Sequence, residues 1–194
     1  MAARKLRAAL GVRPSIKQID TLAGEFTARA NYLYMTYGNS EEENAESDVS
    51  LGENVALVLG SGVYRIGASV EFDYGCVAAA RALREIGRRT CIVNCNPETV
   101  STDYEESDAL LFEPLTKERV LDIAQGEQVS GVIVSFAGQI GNDLASSLEA
   151  AGVKVLGTAP RDIDTAEDRH AFGALLDSAN IDQPTWCETR SEEG

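Results

Sequence analysis

Between residues 54 and 182 the chain alternates short unbroken apolar runs with longer stretches whose apolar positions recur at helical spacing. The run at 55–59, VALVL, predicts a buried strand. It stops at Gly60, Gly62 and Gly67. A helix is expected from about 69 to 86, with Val70, Tyr74, Val77 and Leu83 as its inward stripe and Gly87 as its stop. The pattern then repeats. Strands are predicted at 90–94, 109–112, 131–136 and 153–156, with helices over about 116–125 (Val120, Ile123 and Ala124 inward) and 141–151 between them. After a turn at 158–160, Asp164 and Glu167 stand at capping-box spacing and open a last helix to about Ala179. Strands and helices alternating through connections of this length predict an α/β fold, a doubly wound parallel sheet of about five strands.

The flanks read differently. Residues 1–10 are basic, alanine-rich and free of acid, which fits a mitochondrial transit peptide or a short helix with Leu6 and Leu10 on one face. Residues 11–14 break that helix. The stretch 15–37 ends in Tyr32, Tyr34 and Tyr37, read as a patch packing an extended segment against a neighbouring domain rather than as a platform for a ring ligand. Residues 38–53 are acidic and without periodicity, so an exposed linker with no core residues is expected. The implied divisions are 1–37, 38–53, a domain at 54–182 and an exit linker at 183–194.

Charge and cysteine content narrow the function classes. With 31 acidic and 17 basic residues the net charge is -14, which disfavours nucleic acid and anionic membrane surfaces as partners. No apolar run approaches the ~18 residues of a membrane span. Cys76, Cys91, Cys95 and Cys187 lack C-x-x-C spacing, and one histidine, His170, leaves too few soft ligands for zinc. Reduced, mostly buried thiols in an intracellular compartment are expected.

Ligands of doubly wound sheets bind beyond the strand C-termini. That edge should gather the loops at 60–67, 94–103, 137–142 and 157–160, bringing together Arg65, Glu71, Asn94, Asn96, Glu98, Ser101, Thr102, Asp103, Gln139 and Asn142. The glycine loop could offer backbone N–H groups to an anion, or could simply turn the chain; both readings stand. Neither Ser61 nor Ser101 has a histidine partner nearby in sequence, and His170 is read as a surface residue without a role. Glu71 and Glu98 could accept hydrogen bonds from an amine, or hold a proton if desolvation raises their pKa. Glu71 reads equally as a first-turn charge favoured by the helix dipole.

Several stretches together resemble a known family: GSGVYRIGASVEFDY at 60–74, IVNCNPETVSTDYEESDALLFEPLTKERVLDI at 92–123, the Gly138-Gln139 loop with LEAAGVKVLGTAPRDID at 148–164, and AEDRHAF at 166–172. They resemble the large synthetase component of carbamoyl-phosphate synthetase, at the start of its second, C-terminal half. GVRPSIKQIDTLAGEF at 11–26 and NYLYMTY at 31–37 resemble that family's exit from a helical oligomerisation region. The resemblance covers nearly the whole chain, and NPETVSTDY is its most specific part.

The resemblance implies a Rossmann-like pre-ATP-grasp domain with an extended or helical N-terminal attachment. It implies a parent ligase that makes carbamoyl phosphate from bicarbonate, ammonia (from glutamine or free) and two ATP with Mg²⁺ or Mn²⁺. The second half of that parent phosphorylates carbamate. Carried over motif by motif, it places Ser69, Glu71 and Glu98 on the lining of a carbamate passage, where a non-nucleophilic wall would shield an unstable intermediate from water. No catalytic or metal residue, and no cofactor bound by this chain alone, is implied. The nucleotide-holding residues would belong to an ATP-grasp domain starting soon after Trp186. Implied partners are that domain, the first synthetase half and a glutaminase subunit or domain, in the cytoplasm or in mitochondria. As a piece of such a parent, the chain would carry Met1–Leu10 internally, which favours the short helix over a transit peptide. Ala137 stands where the family has glycine, which puts a ligand contact by Gln139 in question. Two other readings remain: a stand-alone nucleotide-binding regulator using the 60–67 loop, and an assembly domain using its tyrosines.

Overall fold

The computed structural model describes residues 2–20, 22–27, 32–37, 47–187 and 189. In chain order these form α1 (Ala2–Ala9), β1 (Ser15–Gln18), β2 (Tyr32–Thr36), β3 (Ala56–Leu59), α2 (Val70–Glu85), β4 (Thr90–Asn94), a 3₁₀ turn (Val100–Thr102) and β5 (Ala109–Phe112). α3 (Lys117–Gly126), β6 (Gly131–Ile133), α4 (Gln139–Glu149), β7 (Val155–Leu156), α5 (Pro160–Glu167) and α6 (Arg169–Ser178) follow. One sheet runs in the order β1-β2-β5-β4-β3-β6-β7. Every pairing is parallel except β1 with β2. The doubly wound α/β layer is therefore present, with seven strands rather than about five.

Alternation along the central strands divides the core. Leu57, Leu59, Cys91, Val93 and Leu111 point to the face covered by Val120, Ile123, Leu144 and Leu148 of α3 and α4. Val58, Ile92 and Leu110 point to the other, against Cys76 and Ala80 of α2. Strands buried on both faces read as continuous apolar runs, which is why 55–59 and 90–94 are so plain in the sequence. α4 packs close to the sheet because Gly141 lets it: a Cβ there would lie 2.1 Å from the Val134 carbonyl oxygen.

Several expectations are corrected. The segment 15–37 contributes β1 and β2 to the sheet edge, and its tyrosines pack within the same domain. Tyr32 and Tyr34 each lie 5.4 Å from the Phe112 ring, while Tyr37 sits under the Arg7 guanidinium and donates its hydroxyl to Asp122 (3.0 Å). Residues 38–46 of the expected linker lie outside the described residues. The rest does carry core: Leu51 is buried, and its N–H donates to Glu127 (2.9 Å).

α2 buries Asp73, Cys76, Val77 and Ala80, so Val70 and Tyr74 of the expected inward stripe face outward. The last helix is two, α5 and α6, broken at Asp168, whose extended backbone ends one helix while its side chain caps the next through the Ala171 N–H. Asp164 instead accepts from the Ser146 hydroxyl (2.6 Å). β6 ends at Ile133, freeing Phe136 to lie over Gly75 of α2, where a Cβ would come within 2.5 Å of its ring. Beyond α6, Trp186 packs on Gly173 and edge-on to His170 (5.2 Å), so that histidine has a defined aromatic neighbour.

Candidate functional site

The β3 and β4 ends are joined by one buried side chain. Asn94, the last residue of β4, is fully buried and accepts the Gly62 N–H (3.1 Å) and the Asn96 N–H (3.2 Å) on one oxygen. Its amide donates to the Ser101 hydroxyl (3.4 Å). Gly60 is glycine for this reason: a Cβ there would lie 2.6 Å from the Asn94 side chain.

The next loop is closed by its own short polar residues. Asn96 accepts the Glu98 N–H (3.0 Å), an Asx turn. Thr102 accepts the Thr99 N–H and donates to the Thr99 carbonyl (2.7 Å), tightening the 3₁₀ turn. Asp73, from α2, receives the Ser101 N–H on both oxygens (3.3 and 3.4 Å). Tyr64 spans from the glycine loop to Thr99, oxygen to oxygen at 2.6 Å.

The geometry argues against a phosphate cradle. In and beside the glycine loop, the Gly60 N–H is taken by the Val93 carbonyl, the Gly62 N–H by Asn94, and the Arg65 and Ala68 N–H groups by each other's carbonyls. Arg65 turns its guanidinium back to the Val63 carbonyl (3.4 Å). The first turn of α2 carries Glu71 and Asp73, and their negative charge repels a phosphate. These residues do not fit a nucleotide's phosphates, and the glycines serve the turn.

Glu71 and Glu98 are both exposed at this end of the sheet. Ser69, the N-cap of α2, spends its hydroxyl on Glu71 rather than on the helix. That bond, reinforced by the Glu71 N–H, holds the Glu71 carboxyl below the usual carboxylate range. Glu71 is therefore an ionised first-turn charge and not a proton holder. Glu98 lines a groove of about 500 Å³ between α2 and the 98–100 loop, with Tyr64, Asp73, Tyr74, Arg81 and Val100. Glu71 lies outside that lining, at the groove's end of α2. Around it the surface is apolar: Val70 is 64% and Tyr74 76% exposed.

The remaining expected rim residues are placed elsewhere. Gly138 brings the 137–142 loop against the Gly67 carbonyl and Ala68, but Gln139 donates to Asp143 (3.0 Å) and Glu167 (3.3 Å), and Asn142 to Glu167 (2.6 Å). Those two side chains tie α4 to the end of α5. The Ala137 methyl is buried in the core. Asp103 is exposed beyond the turn. Asp73 was missed from sequence, although it lies at the inward spacing of Cys76, Val77 and Ala80, where an acid is out of place. Two of the four thiols, Cys76 and Cys91, are buried; Cys95 and Cys187 are exposed, fewer buried than expected. Among the described residues no group of three or more His, Cys, Asp or Glu is arranged for a metal, and no helix is long and apolar enough to cross a membrane.

Residues 52–165 match the family model of the carbamoyl phosphate synthase preATP-grasp domain. The chain belongs to this family. It is 53% identical over 191 residues to the multifunctional protein pyr-3 of Neurospora crassa, covering 98% of this chain and 10% of that one. To the carbamoyl phosphate synthase arginine-specific large chain of Cutaneotrichosporon cutaneum it is 53% identical, over 97% of this chain and 16% of the other. The Schizosaccharomyces pombe arginine-specific large chain, named mitochondrial, is 51% identical over the same shares. The chain thus spans a tenth to a sixth of the length of these three relatives. Among solved structures, the biotin carboxylase subunit of pyruvate carboxylase overlaps at a TM-score of 0.47 and 19% identity, over 66% of this chain and 28% of that one, too distant a likeness to inform the site.

Proposed function

We propose that this chain is the preATP-grasp domain of the second, carbamate-phosphorylating half of a carbamoyl phosphate synthase large chain, and that its α2 face forms one wall of the passage carrying carbamate there. The observation that carries this reading is the groove that exposed Glu98 lines with the apolar Val70, Tyr74 and Val100, with ionised Glu71 on the adjoining first turn of α2. An exposed apolar surface rimmed by polar groups marks a place where another domain sits. Carbamate loses CO₂ once its nitrogen is protonated. Ionised carboxylates accept its N–H groups and supply no proton, and a covering domain keeps water out.

The parent would join bicarbonate and ammonia, from glutamine or free, using two ATP with Mg²⁺ or Mn²⁺. Its ATP-grasp domain, first synthetase half and glutaminase would be the partners, in the cytoplasm or in mitochondria. This domain supplies wall and scaffold and no reacting group. A stand-alone nucleotide-binding role is disfavoured by the engaged Gly60, Gly62 and Arg65 N–H groups of the glycine loop and by the acidic first turn of α2.

The test is stoichiometry in the complete enzyme. Glu98→Ala should raise the ratio of ADP formed to carbamoyl phosphate formed, while ATP synthesis from ADP and carbamoyl phosphate, which bypasses the passage, stays near wild type. An unchanged ratio would remove the passage role.

A further inference from the structure

The carboxylate of Asp73 is buried, with the side chain 3% exposed, and it receives one backbone amide, that of Ser101. Arg81, two turns along α2, is committed to Glu106 through two hydrogen bonds. Burying a carboxylate costs several kcal/mol, and a backbone amide offsets only part of that cost. An apolar residue at this inward position would pack more favourably, so the carboxylate is better explained by what it holds than by stability.

What it holds is the end of a continuous chain of bonds beneath the groove. The Gly62 N–H donates to Asn94, the Asn94 amide to the Ser101 hydroxyl, and the Ser101 N–H to Asp73. Glu71 stands two residues before Asp73 on α2, and Glu98 stands three residues before Ser101 on the facing loop. A slip of that loop along α2 therefore changes the separation of the two glutamates directly. The links between α2 and the loop at this point are the Asp73 bond to the Ser101 backbone, a side-chain bond between Cys76 and Ser101, and the contacts that line the groove; of these the Asp73 bond alone holds the loop backbone.

We infer that Asp73 is a positioning residue, which fixes Glu98 against α2 by clamping the Ser101 amide and so sets the width of the carbamate passage. The inference rests on the passage reading above. Asp73 lies at the floor of the groove but is only 3% exposed, with its carboxylate turned to the Ser101 amide, so its effect runs through the loop backbone. The acceptor oxygen is what matters, because an amide N–H needs an acceptor and not a full charge.

The experiment uses the complete enzyme with Asp73→Ala, Asp73→Asn and Glu98→Ala. Asp73→Ala should raise the ADP-to-carbamoyl phosphate ratio about threefold or more, as small displacements of positioned groups do. ATP synthesis from ADP and carbamoyl phosphate should remain within about twofold, since the nucleotide site is elsewhere. Asp73→Asn keeps an acceptor oxygen for the Ser101 N–H and should restore the wild-type ratio. If Asp73→Ala does not fold, Asp73→Leu, which is close to aspartate in size and offers no acceptor, replaces it with the same expected ratio. A normal ratio in Asp73→Ala or Asp73→Leu beside a raised one in Glu98→Ala overturns the positioning role and leaves the passage reading intact. Normal ratios in all variants overturn both. Equal loss of both activities means a merely structural residue, and Asp73→Asn behaving like Asp73→Ala means that charge, not the clamp, matters; either result overturns the inference.

Discussion

Two polar clusters flank the C-terminal edge of the sheet, and they are built in opposite ways. At the ends of β3 and β4, Asn94, Asn96, Ser101 and Thr102 are buried, and most of their bonds engage backbone groups. At the start of α4, Gln139 and Asn142 bond side chain to side chain with Asp143 and Glu167 in the open. Water competes for the second set and cannot reach the first. A buried bond to a backbone amide fixes where the chain runs, whereas an exposed one leaves a long side chain free to exchange partners. The first cluster sets the position of Glu98; the second only ties two helices together.

Removing the hub should show the contrast most strongly. Asn94→Ala orphans the Gly62 and Asn96 amides in a buried place and should cost about 2–4 kcal/mol in denaturant unfolding. Gly60→Ala drives a methyl into the same side chain and should cost about 1–3 kcal/mol, with the lost protection of the Gly62 amide visible in hydrogen exchange. The double change Gln139→Ala with Asn142→Ala should cost no more than about 0.5 kcal/mol. A loss there equal to that of Asn94→Ala would erase the distinction between the clusters.

The smallest effect belongs to Glu71 and concerns pH. Its carboxyl is held below the ordinary range by the Ser69 hydroxyl and then by its own N–H. Folding therefore favours the ionised form. That contribution is present above the unfolded-state pKa and is lost as pH falls through the lower folded value. The stability difference between wild type and Glu71→Gln should be largest near neutrality and disappear as pH falls through the lowered folded-state value. Carbon-13 NMR of the carboxyl should find it titrating low, and Ser69→Ala should raise it. A Glu71 that titrates at the ordinary value would mean that the Ser69 bond does not hold its charge.

Much of the architecture was legible. Unbroken apolar runs marked β3 and β4 because strands covered on both faces have no polar side, and glycines marked the turn after β3. Other elements were hidden. β1 has only four residues, SIKQ, and becomes a strand by pairing with β2. Leu51 looked like one apolar residue in an acidic stretch until the fold put it against the core. The outward Val70 and Tyr74 misled the reading of α2 because periodicity alone cannot tell an exposed apolar residue at helical spacing from one that faces a core.

The sequence by itself determined the doubly wound layer, the loops gathered at one edge and the family to which the chain belongs, since these rest on local pattern and on contiguous motifs. Only the tertiary structure decided what each polar residue does. It put Asn94, Asn96 and Thr102 to work inside the packed loops, showed the Gly60, Gly62 and Arg65 N–H groups of the glycine loop already engaged, and brought Asp73 under Ser101. Hydrogen-bond partners 28 or 32 residues apart leave no mark in local spacing. Burial, which makes such bonds decisive, is a property of the packed whole.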